Sequence, residues 1–442
     1  MYAPMDLVEV RAWDQTVGAV VLDPESSCYA FEYDPQWIRN GRELSPILMA
    51  NRPGTFVFPE LSRRTFQGLP AMLADALPDR FGNALVDAWM AENAVSRDAI
   101  TPLDRLAYAA DRGMGALEFH PPVGTTMNEA TALRLADVVS AARAALVGDF
   151  ATVPKSAMQQ LLRVGTSAGG ARAKAVIAYN ETSGAIRSGQ ITAPDGFTHW
   201  LIKLDGTDTD PTHESSSDQV GRRRTQNSNG VAGYGRIEYA YYLMASASGL
   251  LVSESRLLEE GPRAHFMTKR FDRDEVGERI HMQSLCGIAG LDFNLAGAHS
   301  YAQYLQVVHE LGLGLDALEE AFRRVVFNVV AMNRDDHTKN LAFLLPKDGA
   351  WSLAPAYDNT YAHNPAGQWT SQHQMTVNTK RENITIADLA ALADQFGVPG
   401  YKSVTRDVMT AVAAWSEYAE RAGVSEDFAN SIGDDLRNHR PA

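Results

Sequence analysis

The sequence predicts an α+β chain in which a mixed α/β N-terminal half leads into a mostly helical C-terminal half. Runs of β-branched and aromatic residues, with turn residues between them, dominate the first fifty positions and return between 173 and 206. Beyond Arg236 the apolar residues recur with a helical period. At 442 residues the chain exceeds one ordinary core and predicts two or three packed units.

Taken in order, VGAVVLD (Val17 to Asp23) and CYAFEYD (Cys28 to Asp34), separated by PESS, read as a β-hairpin. LPAMLADALPDRFGNALVDAWMAE reads as helix, and Pro78 breaks it in two. EATALRLADVVSAARAALVG and SAMQQLLRV keep a helical period. AKAVIAYN (Ala173 to Asn180) and THWLIKLDG (Thr198 to Gly206) are candidate strands. Asp205 to Gly235 is a long polar, Gly- and Ser-rich run, so a mobile loop is predicted there. Its one basic spot, Arg222 to Thr225, reads as a solvated charge run. IEYAYYLMASASG is a helix ending at Gly249, and HFMTKRFDR (His265 to Arg273) is strand-like. In LDALEEAFRRVVFNVVAM, Asp316 and Glu319 read as a capping pair. Leu318, Phe322, Val325, Val326, Val329 and Met332 fall on one buried face. LAFLL, PKDGA and WSLAPAYD then read as strand, turn and strand. No internal repeat is seen.

Hydrophobic residues make up 45% and charged residues 21%, an ordinary globular balance that fits an enzyme or a scaffold. Forty basic against fifty-four acidic side chains give a formal charge of -14, which disfavours direct binding to nucleic acid or to an anionic membrane. Cys28 and Cys286 are the only cysteines and have no metal-ligand spacing, which fits a reducing compartment. MYAPMDLVEVRAWD lacks the charged flank and apolar stretch of a signal peptide, and no apolar run is long enough to span a bilayer. A cytoplasmic protein is expected.

The most chemical stretch is NRDDHTKNLAFLL, Asn333 to Leu345. Asp335 and Asn340 have the spacing D-x-x-x-x-N, and the hairpin that follows returns Asp358 toward the same loop. An acidic residue, a carboxamide five positions on and a second acidic residue after a hairpin suit phosphoryl transfer. The first Asp orients or deprotonates an acceptor hydroxyl, while the Asn and the second Asp offer oxygen ligands to Mg²⁺. Other readings stay open. Asp335 or Asp336 can cap a turn, His337 can satisfy a backbone carbonyl, and Asp, Asp and His can serve a metal hydrolase. Asp336 lacks the offset to Asn340 and points elsewhere. Upstream, Gly165 to Ala171 is a small-residue loop running into a strand, suited to cradling phosphate. Lys203 lies in the apolar strand WLIKL, where a lysine is costly unless paired.

Most of the chain resembles the HipA family of bacterial serine/threonine kinases, the toxins of toxin–antitoxin pairs. The resemblance lies in VGAVVLD, FEYDPQWI, LADALPDRFGN and TPLDRLAYAADRGMGALEFHPP, and then, in the family's order, in SAGGARAKA, WLIKL, RFDR, NRDDHTKN, LAPAYDN and VNTKRENIT. It implies a bilobal protein-kinase-like fold with an added N-terminal subdomain over 1–125. A nucleotide-binding N-lobe would span 126–265, with a phosphate loop and a mobile 205–235 loop, and a helical catalytic C-lobe would span 266–442. It further implies ATP and Mg²⁺ as cofactors, Asp335 as the catalytic Asp, and Asn340 and Asp358 as metal ligands. Gly169, Gly170, Ala171, Arg172, Ala173 and Lys174 would form the phosphate loop and Lys203 the ATP lysine. Lys269, Arg270 and Phe271 would be the connector beside adenine, with His337 and Tyr357 lining the nucleotide site. Ser167 matches an autophosphorylated loop serine, with Thr166 as the alternative. The implied partners are a HipB-like helix-turn-helix antitoxin, through which alone the chain would reach DNA, and a protein substrate of the aminoacyl-tRNA synthetase class. The sequence departs from the family at Lys269, where an acidic residue is familiar, and at HMQSLCG, which replaces a Q-E-D signature. A kinase-fold corepressor without turnover and a small-molecule phosphotransferase are the alternatives.

Overall fold

The predicted hairpin forms the middle of a five-stranded antiparallel sheet. Strands β1 (Leu7–Ala12), β2 (Gln15–Asp23), β3 (Cys28–Tyr33), β4 (Thr55–Phe56) and β5 (Glu118–His120) lie in the order β4-β3-β2-β1-β5. The coordinates are a computed structural model that describes residues 4–123, 133–147, 154–164, 173–190, 193–207 and 233–442. In β1, Val8, Val10 and Ala12 alternate inward, the period of a half-buried strand. Asp23 closes the β2–β3 turn by accepting from the Ser26 amide (3.2 Å) and hydroxyl (2.5 Å). Those bonds hold its carboxyl below the usual carboxylate range. Gly18 is required where it stands, because a Cβ there would lie 2.1 Å from the Glu32 carbonyl oxygen. β1 is the strand the sequence pattern does not single out. Its turn to β2 runs through Trp13 (φ 50) and Asp14 (φ 62), a left-handed pair made without the Asn-Gly or Asp-Gly signature. The Trp13 indole N–H donates to the Arg279 carbonyl (2.7 Å) and holds that turn.

The chain forms two compact units. The first comprises Met1–Thr209, Lys269–Gly290 and Leu344–Ala350. Pro78 separates the helices Ala71–Asp75 and Arg80–Glu92 as expected, and Asp79 caps the second by accepting from the Gly82 amide (2.7 Å). Strand β6 (Lys174–Tyr179) pairs antiparallel with β7 (Ile186–Ser188) and β8 (Thr198–Lys203). Of the predicted 205–235 loop, residues 208–232 lie outside the described residues. Asp205 to Thr207 are buried, contrary to a polar run with nothing to bury, with the Thr207 hydroxyl donating to the Leu204 carbonyl (2.9 Å), and at the far end Tyr234 and Gly235 already belong to the helix Tyr234–Ala247.

This unit also buries an ionic cluster. Asp272, fully buried, accepts from Arg270 (2.6 and 2.8 Å), Arg273 (2.9 Å) and the Gly115 amide (2.7 Å). Burial alone would raise its carboxyl, but the two guanidinium groups and the amide hold it well below the ordinary value. Burial also brings the Arg273 guanidinium down to about 9, although Asp272 opposes that shift. His281 is buried and donates to the Leu44 carbonyl (3.0 Å); desolvation lowers it to about 4, so it is neutral at pH 7.

The second unit comprises Asp210–Thr268, Leu291–Phe343 and Trp351–Ala442. It holds the hairpin of β9 (Ser255–Glu260) with β10 (Arg263–Lys269), whose last residue belongs to the first unit, and the helical C-terminal half expected from the sequence. Tyr241, on the helix Tyr234–Ala247, packs edge-on against Phe327 and Trp415 and donates to the Ala331 carbonyl (2.7 Å). The helix Gly314–Val330 buries Leu318, Phe322, Val325, Val326 and Val329, with Met332 just beyond it. The expected capping pair does not form. No side chain caps Leu313, Asp316 stands in the first turn where it meets the positive helix end, and Glu319 instead pairs with Arg323 (2.9 Å). Among the described residues no helix is long and apolar enough to cross a membrane.

Removing the carboxylate of Asp272 takes the counter-charge from the buried Arg270 and the half-buried Arg273. Asp272→Ala should lower unfolding stability by about 3–5 kcal/mol in urea denaturation, whereas replacing the whole cluster, Arg270→Met and Arg273→Met with Asp272→Leu, should cost far less. Because its folded value is depressed, the wild-type contribution is complete above about pH 4 and fades as the pH falls further. A D272A variant with an unchanged urea midpoint contradicts this account.

Candidate active site

The helix Gly314–Val330 delivers the polar stretch, and the chain reverses at Met332 in a left-handed conformation (φ 55). From there Asp335 and Asp336 diverge. The Asp335 side chain is 50% exposed, with His337 Nε2 3.9 Å from its Oδ1. Asp336 is buried, and its carboxylate accepts from the Tyr301 hydroxyl (2.7 Å), His373 Nδ1 (2.8 Å) and the Gln374 amide (2.7 Å). Burial would push its carboxyl up, but the His373 ring, the Tyr301 hydroxyl and the Gln374 amide bring it below the ordinary value. Burial, with Asp336 beside it, raises the Tyr301 phenol well above 10.

A buried chain of hydrogen bonds runs on from Tyr301. Asn328 Nδ2 donates to the Tyr301 hydroxyl (3.0 Å), and Asn333 Nδ2 donates to Asn328 Oδ1 (2.9 Å) and reaches the Asp358 carbonyl at 3.5 Å. The strands Ala342–Leu345 and Ser352–Leu353 return the chain, with the Ala354 amide donating to the Ala342 carbonyl (3.0 Å). Tyr357 then donates to the Lys339 carbonyl (2.5 Å). Asn340 Nδ2 donates to the Asp335 carbonyl (2.8 Å), which fixes the carboxamide. Asp335, His337, Asn340, Tyr357 and Asp358 are therefore brought together on one polar loop and the segment that returns to it. His337 lies against Phe293 (ring centroids 5.6 Å), and its Nδ1 is buried with no hydrogen bond. Asp358 is half-buried at φ 53, a second left-handed residue.

Of the other predicted residues, those that are described lie in the first unit. Ala173 and Lys174 are buried, and Lys174 is the cross-strand partner of the half-buried Lys203. Lys269 is exposed and Phe271 half-buried. The Arg270 side chain is committed to Asp272 and to the Gly113 carbonyl (3.2 Å). Thr166, Ser167, Gly169, Gly170, Ala171 and Arg172 lie outside the described residues. Sequence reasoning missed Tyr301, Asn328 and His373, and it read Asp336 as pointing elsewhere without seeing the anchor it forms. The one available signal was the Asp-Asp pair itself, whose members must face different ways.

The HipA-like C-terminal domain family matches residues 166–422, and the HipA N-terminal domain family matches residues 8–120. The chain belongs to the HipA family. A protein of Haemophilus influenzae described as "Putative kinase" is 29% identical over 134 residues, which cover 27% of this chain and 39% of that relative. The likeness thus spans well under half of the relative's length. Among solved structures, this HipA-family chain is similar to the HipA of Shewanella oneidensis MR-1 from its complex with HipB and operator DNA. The TM-score is 0.65 at 17% identity, over 98% of this chain and 95% of that one. The α+β fold expected from the sequence is therefore the HipA fold.

Asp336→Asn puts an amide N–H₂ where three donors converge. It should cost about 3 kcal/mol of stability. Since the Asp336 carboxyl is lowered in the folded state, its contribution is present above the ordinary carboxylate range and is lost as pH falls through that lowered value. Acid unfolding followed by circular dichroism should consequently be less steep in the variant than in the wild type. Equal acid sensitivity would remove Asp336 from this role.

Proposed function

We propose that this HipA-family chain is an ATP- and Mg²⁺-dependent protein serine/threonine kinase, the toxin of a toxin–antitoxin pair. One observation carries the reading. The half-exposed Asp335 stands beside an Asn340 carboxamide fixed on its own carbonyl, and the returning Asp358 is reached through its carbonyl by the buried polar network. Asp335 would accept the proton of an acceptor hydroxyl as that oxygen bonds to the γ-phosphorus of ATP and the bond to the ADP oxygen breaks. The donor set fits Mg²⁺: Asn340 spends its N–H₂ on the Asp335 carbonyl and keeps Oδ1, and Asp358 adds a carboxylate, both hard oxygen ligands. When bound, Mg²⁺ supplies charge neutralisation for the transferring phosphoryl group.

The paired positions of Lys174 and Lys203 on β6 and β8 support phosphate binding in the first unit. Ser167, or Thr166, would be the autophosphorylation site, where nearly two added negative charges oppose ATP binding. The HipB complex of the Shewanella protein supports a HipB-like antitoxin as partner. A chain of net charge -14 would then reach operator DNA through that basic partner, and in the cytoplasm a synthetase-class protein would be its substrate.

Transfer from labelled ATP to the chain itself and to cytosolic protein tests the reading. Asp335→Asn should lower transfer roughly 10²–10⁴-fold. Its stability should change by less than about 0.5 kcal/mol, because the side chain is half exposed. Asn340→Ala should raise the Mg²⁺ concentration required. Undiminished autophosphorylation by Asp335→Asn refutes the assignment, and label appearing only on small alcohols points to a small-molecule phosphotransferase.

A further inference from the structure

We infer that His363, Asp435 and His439 form a site for a divalent transition metal of the zinc class. Each offers one ligand atom, and these atoms lie within 4.8 Å of one another. Asp435 and His439 are four residues apart at the end of the helix Glu426–Asn438, where i and i+4 side chains share a face. His363 comes from the segment that follows Asp358, and its ring meets that of His439 edge-on (centroids 5.2 Å). Zinc–nitrogen bonds of about 2.0–2.1 Å place tetrahedral ligand atoms roughly 3.3 Å apart, so closure takes a rotamer-scale adjustment.

The surroundings are those of a ligand set. His363 Nδ1 donates to the Thr370 carbonyl (3.4 Å) and His439 Nδ1 to the Asp435 carbonyl (3.0 Å), the tautomers in which Nε2 carries the lone pair. The Tyr361 hydroxyl donates to Asp435 Oδ2 and orients that carboxylate. His363 and Asp435 are half-buried and His439 is exposed, which gives an ion a path in from solvent. Arg334 is the opposing group, because its charge disfavours a nearby cation. Two nitrogens and one carboxylate suit zinc, cobalt or nickel better than Mg²⁺ or Ca²⁺, which prefer oxygen donors.

A metal here would fasten the last helix to the segment carrying Asp358. The Ala362 amide donates to the Met332 carbonyl (3.2 Å) and the Arg334 amide to the Ala362 carbonyl (3.1 Å), so His363 is tied to the loop that leads to Asp335. The inference stands on these residues alone and does not rest on the kinase reading.

The full chain, stripped with a chelator and held in excess Mg²⁺, should be titrated with Zn²⁺ by calorimetry and with Co²⁺ by visible absorption. A single saturable Zn²⁺ event, a Co²⁺ spectrum of low coordination number and a metal-dependent rise in Tm are expected. His363→Ala and His439→Ala should each weaken binding roughly tenfold or more and suppress the rise in Tm. His439 is exposed, so its variant should fold normally, and His309→Ala, at an exposed position on the helix Tyr301–Glu310, should bind like the wild type. Absence of saturable Zn²⁺ and Co²⁺ binding, or wild-type affinity in His439→Ala, overturns the inference.

Discussion

The buried carboxylate of Asp336 is the constraint on which the candidate site depends. An isolated carboxylate taken out of water costs several kcal/mol, so it persists only where donors converge on it. Its donors come from Tyr301, His373 and Gln374, three positions far from 336 in sequence, and all must arrive before the burial is tolerable. Satisfying Asp336 therefore fixes the start of the 301–310 helix and the 373–374 segment around the loop. Asp335, one residue earlier, is turned toward solvent by the same geometry. The neighbouring carboxylates divide two tasks: one anchors the backbone, and the other is left accessible.

The anchored network also sustains strain. Met332 and Asp358 both sit at positive φ, a conformation that costs non-glycine residues about 1–3 kcal/mol. Met332 is held by its carbonyl's bond to the Ala362 amide and by the Asn333 amide, which donates to the Asn328 carbonyl (3.0 Å). Asp358 is held through its carbonyl, approached by Asn333 Nδ2. Both strained residues therefore flank the polar chain from Tyr301 to Asn333. The bonds that hold these two residues also fix the backbone on either side of Asp335.

What was legible in the sequence was what is local. NRDDHTKN lies on eight consecutive positions and the hairpin to Asp358 follows at once, so offset alone brought Asp335, Asn340 and Asp358 into one argument. Helical periodicity identified the buried face of the 314–330 helix because packing and period agree there. Partners of Asp336 were not legible, since no spacing rule links 301, 328 and 373 to 336. β1 escaped because its Trp-Asp turn is stabilised by a distant carbonyl rather than by its own residue types. The capping pair failed because Glu319 found a better partner one turn along the helix, in Arg323. His363, Asp435 and His439 meet for tertiary reasons that no motif announces.

The first unit shows the same dependence on distant partners. The region matching the HipA N-terminal domain ends at residue 120, yet its polar groups are satisfied from beyond it. The Gly115 amide donates to Asp272, the Asp75 carboxylate accepts from the Ser284 amide (2.7 Å) and hydroxyl (2.6 Å), and the Trp13 indole donates to Arg279. Within the same unit, the Arg279 guanidinium bridges back to Glu118 (3.2 Å). Because 269–290 supplies these partners, the unit is discontinuous in sequence, and its long-range contacts must close large loops before they stabilise anything. Residues 8–120 are thus a recognisable sequence module but not a closed polar system. Cut after residue 120, the chain would leave the Gly115 amide, the Asp75 carboxylate and the Trp13 indole without the groups that now satisfy them.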